Sequence, residues 1–437
     1  MTETPSGQTV TRPSAWTRAA TDGLSRSDNT VSPIIYPPEE SIDPDLHLWD
    51  TWFLRTRDGS IAEIDGYRVI LALTSSSDLL PGKRHDVATI RYFYSSDGRN
   101  WETGGEIFAD ASGSIEGEQP FGSRQWAGSA LYDNGTVYAY YTASGERGED
   151  ELTYTQRLAV GYGGTIDTSD ERLEITGPWT HTIMLEPDGD RYETQAQSRG
   201  MIYTFRDPWF FEDAGETYLL FEANTPVPEG SPHCDGDTEA QQFNGSVGIA
   251  HSPSGDPTEF ELHDPLLDAV CVNQELERPH IVVKDGTYYL FISSHMHTFA
   301  PGIAGYDALY GFASDSLFGP YEPLNESGLV LTNPENAPFQ SYSWLVYDHG
   351  DELLVNSFFN YFDFDRPSLD DVALLSESEQ MRRFGGTPAP TVRLTVDEYA
   401  TKITGVLAHG HLPLPTEPLP ESPFSGRDRD RRDGYLS

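Results

Sequence analysis

Lysine is nearly missing from this chain of 437 residues: Lys83, Lys284 and Lys402 are the only three, and arginine carries nearly all the positive charge. With 70 acidic against 28 basic residues, the formal net charge is −42. So negative a surface argues against nucleic acid and anionic membranes as partners. Its self-repulsion weakens the compact state at low salt and is screened at high salt. The composition therefore reads as that of a protein from a high-salt environment, with an ordinary acidic protein as the plainer alternative. Cysteine is limited to Cys234 and Cys271. They allow one disulfide or an unbridged pair, and alone they cannot build a metal cluster. No apolar run reaches the roughly 18 residues of a membrane span. The opening Met1-Thr2-Glu3-Thr4 lacks the positive-then-apolar order of a standard signal peptide.

What the chain has is a loose repeat. Apolar segments rich in aromatic and β-branched residues lead into polar turns and then into a second apolar segment. Trp49–Leu54 leads to Asp58-Gly59, with Asp65-Gly66 as a rival turn before Tyr67–Leu73. Trp126–Tyr132 leads to Asn134-Gly135, Arg206–Phe211 to Gly215, Glu277–Val283 to Asp285-Gly286, and Tyr342–Tyr347 to Gly350. The five turn glycines lie 76, 80, 71 and 64 residues apart. Repeating units of short strands arranged radially make a propeller, so the expectation is an all-β, five-bladed β-propeller with a funnel-shaped central pocket. Residues 1–45 read as an N-terminal extension, with a short helix starting at a Ser14 cap. The propeller spans 46–412, and 413–437 is a proline-rich, charged tail expected to be disordered or loosely docked. Thr225–Gln242 reads as a long loop.

Asp50, Trp126, Asp207, Glu277 and Tyr342 stand 9, 9, 8, 9 and 8 residues before those glycines. Equivalent positions on five first strands converge at one end of a channel, and three of the five are carboxylates. Paired carboxyl groups are the usual equipment for cleaving a glycosidic bond, one ionised to attack and one protonated to release the leaving group. Glu277 is the candidate acid. Glu275 would raise its pKa if the two approach, and Arg278 would lower it. Asp207 should stay ionised if it pairs with Arg206. Trp49 and Trp52 flank Asp50 as possible sugar walls. Taken singly these signals are weak: Arg206-Asp207-Pro208 is also ordinary turn chemistry, Trp49 and Trp126 are as readily core, and His295 and His297 are only a faint metal signal.

In combination they resemble a known family. Leu48-Trp49-Asp50-Thr51-Trp52, Trp126-Ala127-Gly128-Ser129, Phe205-Arg206-Asp207-Pro208, Phe221-Glu222-Ala223-Asn224, Glu275-Leu276-Glu277-Arg278-Pro279 and Gly319–Asn325 resemble, in family order, the levansucrase and inulosucrase fructosyltransferases (glycoside hydrolase family 68). The resemblance covers roughly residues 14–400. It implies a five-bladed propeller that takes fructose from sucrose, with Asp50 as nucleophile, Asp207 as transition-state stabiliser and Glu277 as general acid/base. It places Trp49, Trp126, Arg206, Glu275, Arg278, His295 and Tyr342 around the sugars.

Two departures stand out. Many relatives carry a serine, bonded to the nucleophile, where this chain has Ala127. Calcium-binding relatives often carry aspartate where it has Gln274, so no cofactor is expected and a structural calcium is not favoured. On Ala127, inulosucrase is expected over levansucrase. A sucrose or fructan hydrolase and a non-catalytic sugar-binding propeller remain the alternatives. The expected partners are sucrose and fructan acceptors, met outside the cell.

Overall fold

Four of the anticipated turns are built from two successive left-handed residues, as two-residue hairpins require. These are Asp65-Gly66, Asn134-Gly135, Ala214-Gly215 and Asp285-Gly286, with φ between 50° and 85°. In the first unit both rival turns exist: the chain turns at Gly59, bridges Arg55 to Ile61, and turns again at Gly66. The computed structural model describes residues 13–109 and 114–420, together with the strand pair Thr2–Glu3 and Thr9–Val10.

Five antiparallel blades follow one another along the chain. Blade 1 runs Leu46–Arg55, Arg68–Ser76, Thr89–Ser95 and Glu102–Glu106. Blade 2 opens with Arg124–Trp126 and Ala130–Asp133 and continues through Thr136–Ser144 and Gln156–Thr168 to Leu173–Thr176 and Thr180–Leu185. Blade 3 is Phe205–Asp213, Glu216–Asn224 and Gly245–Ser252, edged by Glu261–Leu262 and Leu267–Asp268. Blade 4 is Glu277–Lys284, Thr287–Ser294 and Ala308–Ser314, edged by Glu322–Pro323 and Leu329–Thr332. Blade 5 is Ser341–His349, Glu352–Tyr361, Phe384–Pro388, Pro390–Asp397 and Ala400–His409. Each second strand is covered on both faces by neighbouring blades. Leu71, Tyr140, Leu220, Leu290 and Val355 are all 0% exposed there, which is why these strands read as continuous apolar runs.

The N-terminal segment binds blades together. Ser14–Ala15 adds a parallel strand to Leu267–Asp268 of blade 3, and Trp16 packs against Phe299, Tyr310 and Phe312 of blade 4. Val31 then bridges Thr332, and Ile35 donates its N–H to Gln340 beside blade 5. The expected Ser14 helix cap is therefore corrected. The Ser14 hydroxyl accepts the Tyr321 N–H instead, and the helix Arg18–Thr21 is capped by Thr17. At the other end Leu414 is buried and Glu417 pairs with Arg68 at 2.7 Å, so the start of the tail is docked. Its mixed-charge stretch, Arg427–Asp433, lies outside the described residues.

Cys234 and Cys271 form a disulfide. It ties the Thr225–Gln242 loop, which contains only short 3-10 turns, to the approach of blade 4's first strand.

Candidate active site

The five first strands share one irregularity. In blades 1, 3, 4 and 5, two residues oppose one on the second strand: Asp50-Thr51, Asp207-Pro208, Arg278-Pro279 and Ser343-Trp344. These are β-bulges, and each begins with a left-handed non-glycine residue, with φ 47°, 60°, 51° and 61°. Such residues cost about 1–3 kcal/mol each and persist only where the surroundings hold them. In blade 2 the break falls at Ala127-Gly128-Ser129, between the pairs Trp126–Thr142 and Ala130–Ala139.

This corrects the register inferred from glycine spacing. Asp50 and Asp207 occupy the bulge itself, with Arg278 and Ser343 as their counterparts. Glu277 stands one residue earlier, level with Trp49, Trp126, Arg206 and Tyr342. Two adjacent rings of side chains result, and the three carboxylates are divided between them.

Arg206 joins the acids. Its Nε donates to Glu222 at 2.7 Å, and one terminal nitrogen donates to Glu275 at 2.8 Å and Glu277 at 3.1 Å. It does not hydrogen-bond Asp207, its neighbour in sequence; Asp207 accepts the Arg278 N–H at 3.0 Å. Burial pushes Asp207 up to about 6, with Arg206 and Arg278 opposing and Asp50 adding to the rise. The Arg278 guanidinium is spent on Thr51 O and Ser343, so it is a strut between blades 4, 1 and 5. Burial lowers its pKa, with the charges of Asp50, Asp207 and Glu277 opposing.

Glu277 accepts from Arg206 at one oxygen and from the Tyr342 hydroxyl at the other. Burial and Glu275 push its carboxyl up to about 7, while Arg206 and His295 pull against them. His295 stacks on Tyr342 at 3.7 Å, lies 4.0 Å from Glu277 and is hydrogen-bonded to Asp307 at 2.9 Å. Burial disfavours its cation, but Asp307, Glu277 and Glu275 outweigh this and raise it to about 9. Glu275 is buried, with one oxygen lacking a hydrogen-bond partner. Glu222 is fully buried in the same way, and burial with the nearby acids drives it well above the carboxylate range.

Among the described residues no side chain donates a hydrogen bond to the Asp50 carboxylate, and Ala127 brings no hydroxyl. Trp49 and Trp52 are 0% and 1% exposed, so neither offers a sugar-facing wall as expected. The segment Pro81–Val87 folds over Trp49, placing His85 and Arg84 against its ring. Trp126 remains half-buried. Further along the same strand of blade 1, buried Arg55 lies over Trp209 at 3.5 Å and donates to Phe210 O. Next to it, burial lowers His280 to about 3; Nδ1 donates to Arg278 O and Nε2 accepts the Val346 N–H, fixing the strand that begins at Glu277.

Sequence reasoning missed Glu222, Asp307, Arg84 and His85 as members of the site. Strand register held the signal for two of them. Glu222 pairs directly with Arg206, and Asp307 precedes Ala308, the partner of Ser294. The Gln274 amide is not free: it donates to Ile202 O at 2.6 Å and accepts the Met201 N–H at 3.2 Å. Nor do the described residues hold any group of three or more His, Cys, Asp or Glu arranged for a metal. A separate groove of about 550 Å³, between residues 32–38 and blade 5, contains no acid.

The levansucrase/invertase family model matches residues 6–413. The extracellular sucrase of Zymomonas mobilis is 34% identical over 428 residues, covering 93% of this chain and 98% of its own. The levansucrase of Rahnella aquatilis is 35% identical, covering 92% and 96%. Among solved structures, the inulosucrase from Halalkalicoccus jeotgali bound to kestose has 61% identity and a TM-score of 0.90, covering 94% of this chain and 100% of its own. The levansucrase from Gluconacetobacter diazotrophicus has 27% identity and a TM-score of 0.77, covering 92% and 93%. This chain belongs to the levansucrase/invertase family.

Proposed function

We propose that the chain is a retaining sucrose fructosyltransferase of the inulosucrase type. The observation that carries the reaction class is a buried Glu277, bonded to Arg206 and Tyr342 and held up to about 7, with Asp50 and Asp207 at the matching bulges of blades 1 and 3. Protonated Glu277 donates its proton to the glycosidic oxygen as Asp50 attacks the anomeric carbon of the fructosyl unit. The C–O bond to glucose breaks, glucose leaves with the proton, and a covalent fructosyl–Asp50 ester forms. Asp207 stabilises the positive charge that develops on the ring. Ionised Glu277 then takes the proton of an acceptor hydroxyl, which displaces Asp50 and restores both acids. Because acid, nucleophile and stabiliser are all side chains, the scheme needs no cofactor.

The His295 imidazolium and the Arg206 guanidinium are placed to hold sugar hydroxyls near Glu277. The inulosucrase reading, with sucrose and growing fructan as acceptors, is supported by the 61% identity to the kestose-bound inulosucrase. Replacement of Asp50 by Asn tests the scheme. Glucose release from sucrose should fall by at least about 10³-fold with the fold intact. Unchanged turnover removes Asp50 from its role. Linkage analysis of the product tests the rest: β-2,1 bonds support inulosucrase, and β-2,6 bonds make the enzyme a levansucrase. Equal release of glucose and fructose would instead identify a hydrolase.

A further inference from the structure

Tyr154 is 47% exposed yet sits in the left-handed region at φ 59°, a costly backbone for a bulky residue. Nothing in its own contacts compensates fully. Its hydroxyl reaches only Asp86, at 3.4 Å, near the limit of a hydrogen bond. The loop around it is held firmly. Thr153 donates to Glu149 at 2.7 Å, and Gln195 donates to Thr153 O at 2.8 Å. Thr155 completes the clamp by donating to Gln195 at 3.1 Å. The clamp directs the Tyr154 ring to Trp126, 6.0 Å away and tilted by 41°. Trp126 in turn donates to His85 O, and the His85 ring touches both Trp126 and Trp49. An aromatic path therefore leaves the carboxylate rings at Trp126 and ends at Tyr154 in solvent. Pyranose and furanose rings present C–H faces to aromatic rings, and aromatic side chains order little on binding.

Resting on the fructosyltransferase reading, we propose that Tyr154, with Trp126, forms a platform for the acceptor oligosaccharide. It holds the sugar units beyond the one whose hydroxyl attacks, so it sets the division between transfer and hydrolysis. Transfer to water needs no such platform, and cleavage of sucrose is complete before it is used.

The test compares Tyr154→Asn with Tyr154→Phe in high salt, using sucrose as donor and kestose as added acceptor. Asparagine tolerates the left-handed backbone and removes the ring, whereas phenylalanine keeps the ring and removes the hydroxyl. For Tyr154→Asn, glucose release from sucrose alone should stay within about twofold, the transfer-to-hydrolysis ratio should fall about fivefold, and half-saturation by kestose should rise by a similar factor. Tyr154→Phe should stay close to the unsubstituted enzyme. The proposal is overturned if Tyr154→Asn leaves the ratio unchanged, if it lowers glucose release and transfer equally, or if Tyr154→Phe loses as much as Tyr154→Asn. Failure of the unsubstituted enzyme to release glucose would instead overturn the underlying reading, and this platform with it.

Discussion

Replacing Glu277 by glutamine should stabilise the protein while disabling it, and only on the alkaline side. The Glu277 carboxyl titrates at about 7 in the folded chain, against an ordinary 4.5, because burial and Glu275 disfavour its charge. A group raised on folding contributes stability that is fully present below its unfolded pKa and is lost as pH rises through its folded one. At 1.36 kcal/mol per pH unit, that loss approaches about 3 kcal/mol once Glu277 is ionised. Glutamine cannot ionise; its oxygen can still accept from Arg206 while its NH2 donates to the Tyr342 hydroxyl oxygen. The variant should therefore match the parent near pH 4 and exceed it by up to about 3 kcal/mol near pH 8. With an unfolding entropy of about 2 cal/mol/K per residue, this corresponds to a Tm rise of about 3 °C for the whole chain. Thermal unfolding at both pH values, in high salt to screen the acidic surface, measures it. An equal Tm change at both pH values, or a loss at the higher one, would refute the picture of Glu277 as an acid held neutral against its surroundings. Asp207→Asn follows the same logic, with its transition centred near 6.

His295→Gln removes a cation that pulls the Glu277 pKa down, so the alkaline limb of kcat/KM should move to higher pH. The same variant should lose about 10- to 100-fold in kcat/KM through the lost charged contact, and an unmoved limb would separate His295 from Glu277. Removing the disulfide with Cys234→Ser and Cys271→Ser should lower stability by about 4 kcal/mol on loop-closure grounds, since the bridge spans 37 residues. Denaturant unfolding checks this, and a change under about 1 kcal/mol would show the loop to be held by other contacts.

The blades were legible because their signals are local. Asn-Gly and Asp-Gly turns and buried second strands announce themselves within a few residues, and Asn134-Gly135 and Asp285-Gly286 lie where the pattern puts them. The ring of first-strand residues was legible in outline for the same reason. Its register was not, because turns differ in length by a residue and a bulge at Asp50 or Arg278 leaves no mark in residue type. The destination of long side chains was equally hidden. Arg206 bypasses its neighbour Asp207 for Glu222, Glu275 and Glu277, and Arg278 turns from the acids to Thr51 and Ser343. Such choices are made by strand pairing and by what lies across the channel. Trp49 is the opposite case: an aromatic beside a carboxylate reads as a sugar wall, but the segment Pro81–Val87, between the second and third strands of blade 1, lies over its ring.

The account stands on Asp50 as the residue that carries the fructosyl unit. Acid quenching during turnover of sucrose, followed by peptide mass analysis, looks for that unit directly. One fructosyl group on the peptide containing Asp50, absent from the Asp50→Asn protein, is the predicted result. An adduct on another residue, or full turnover by the Asp50→Asn protein, would contradict it.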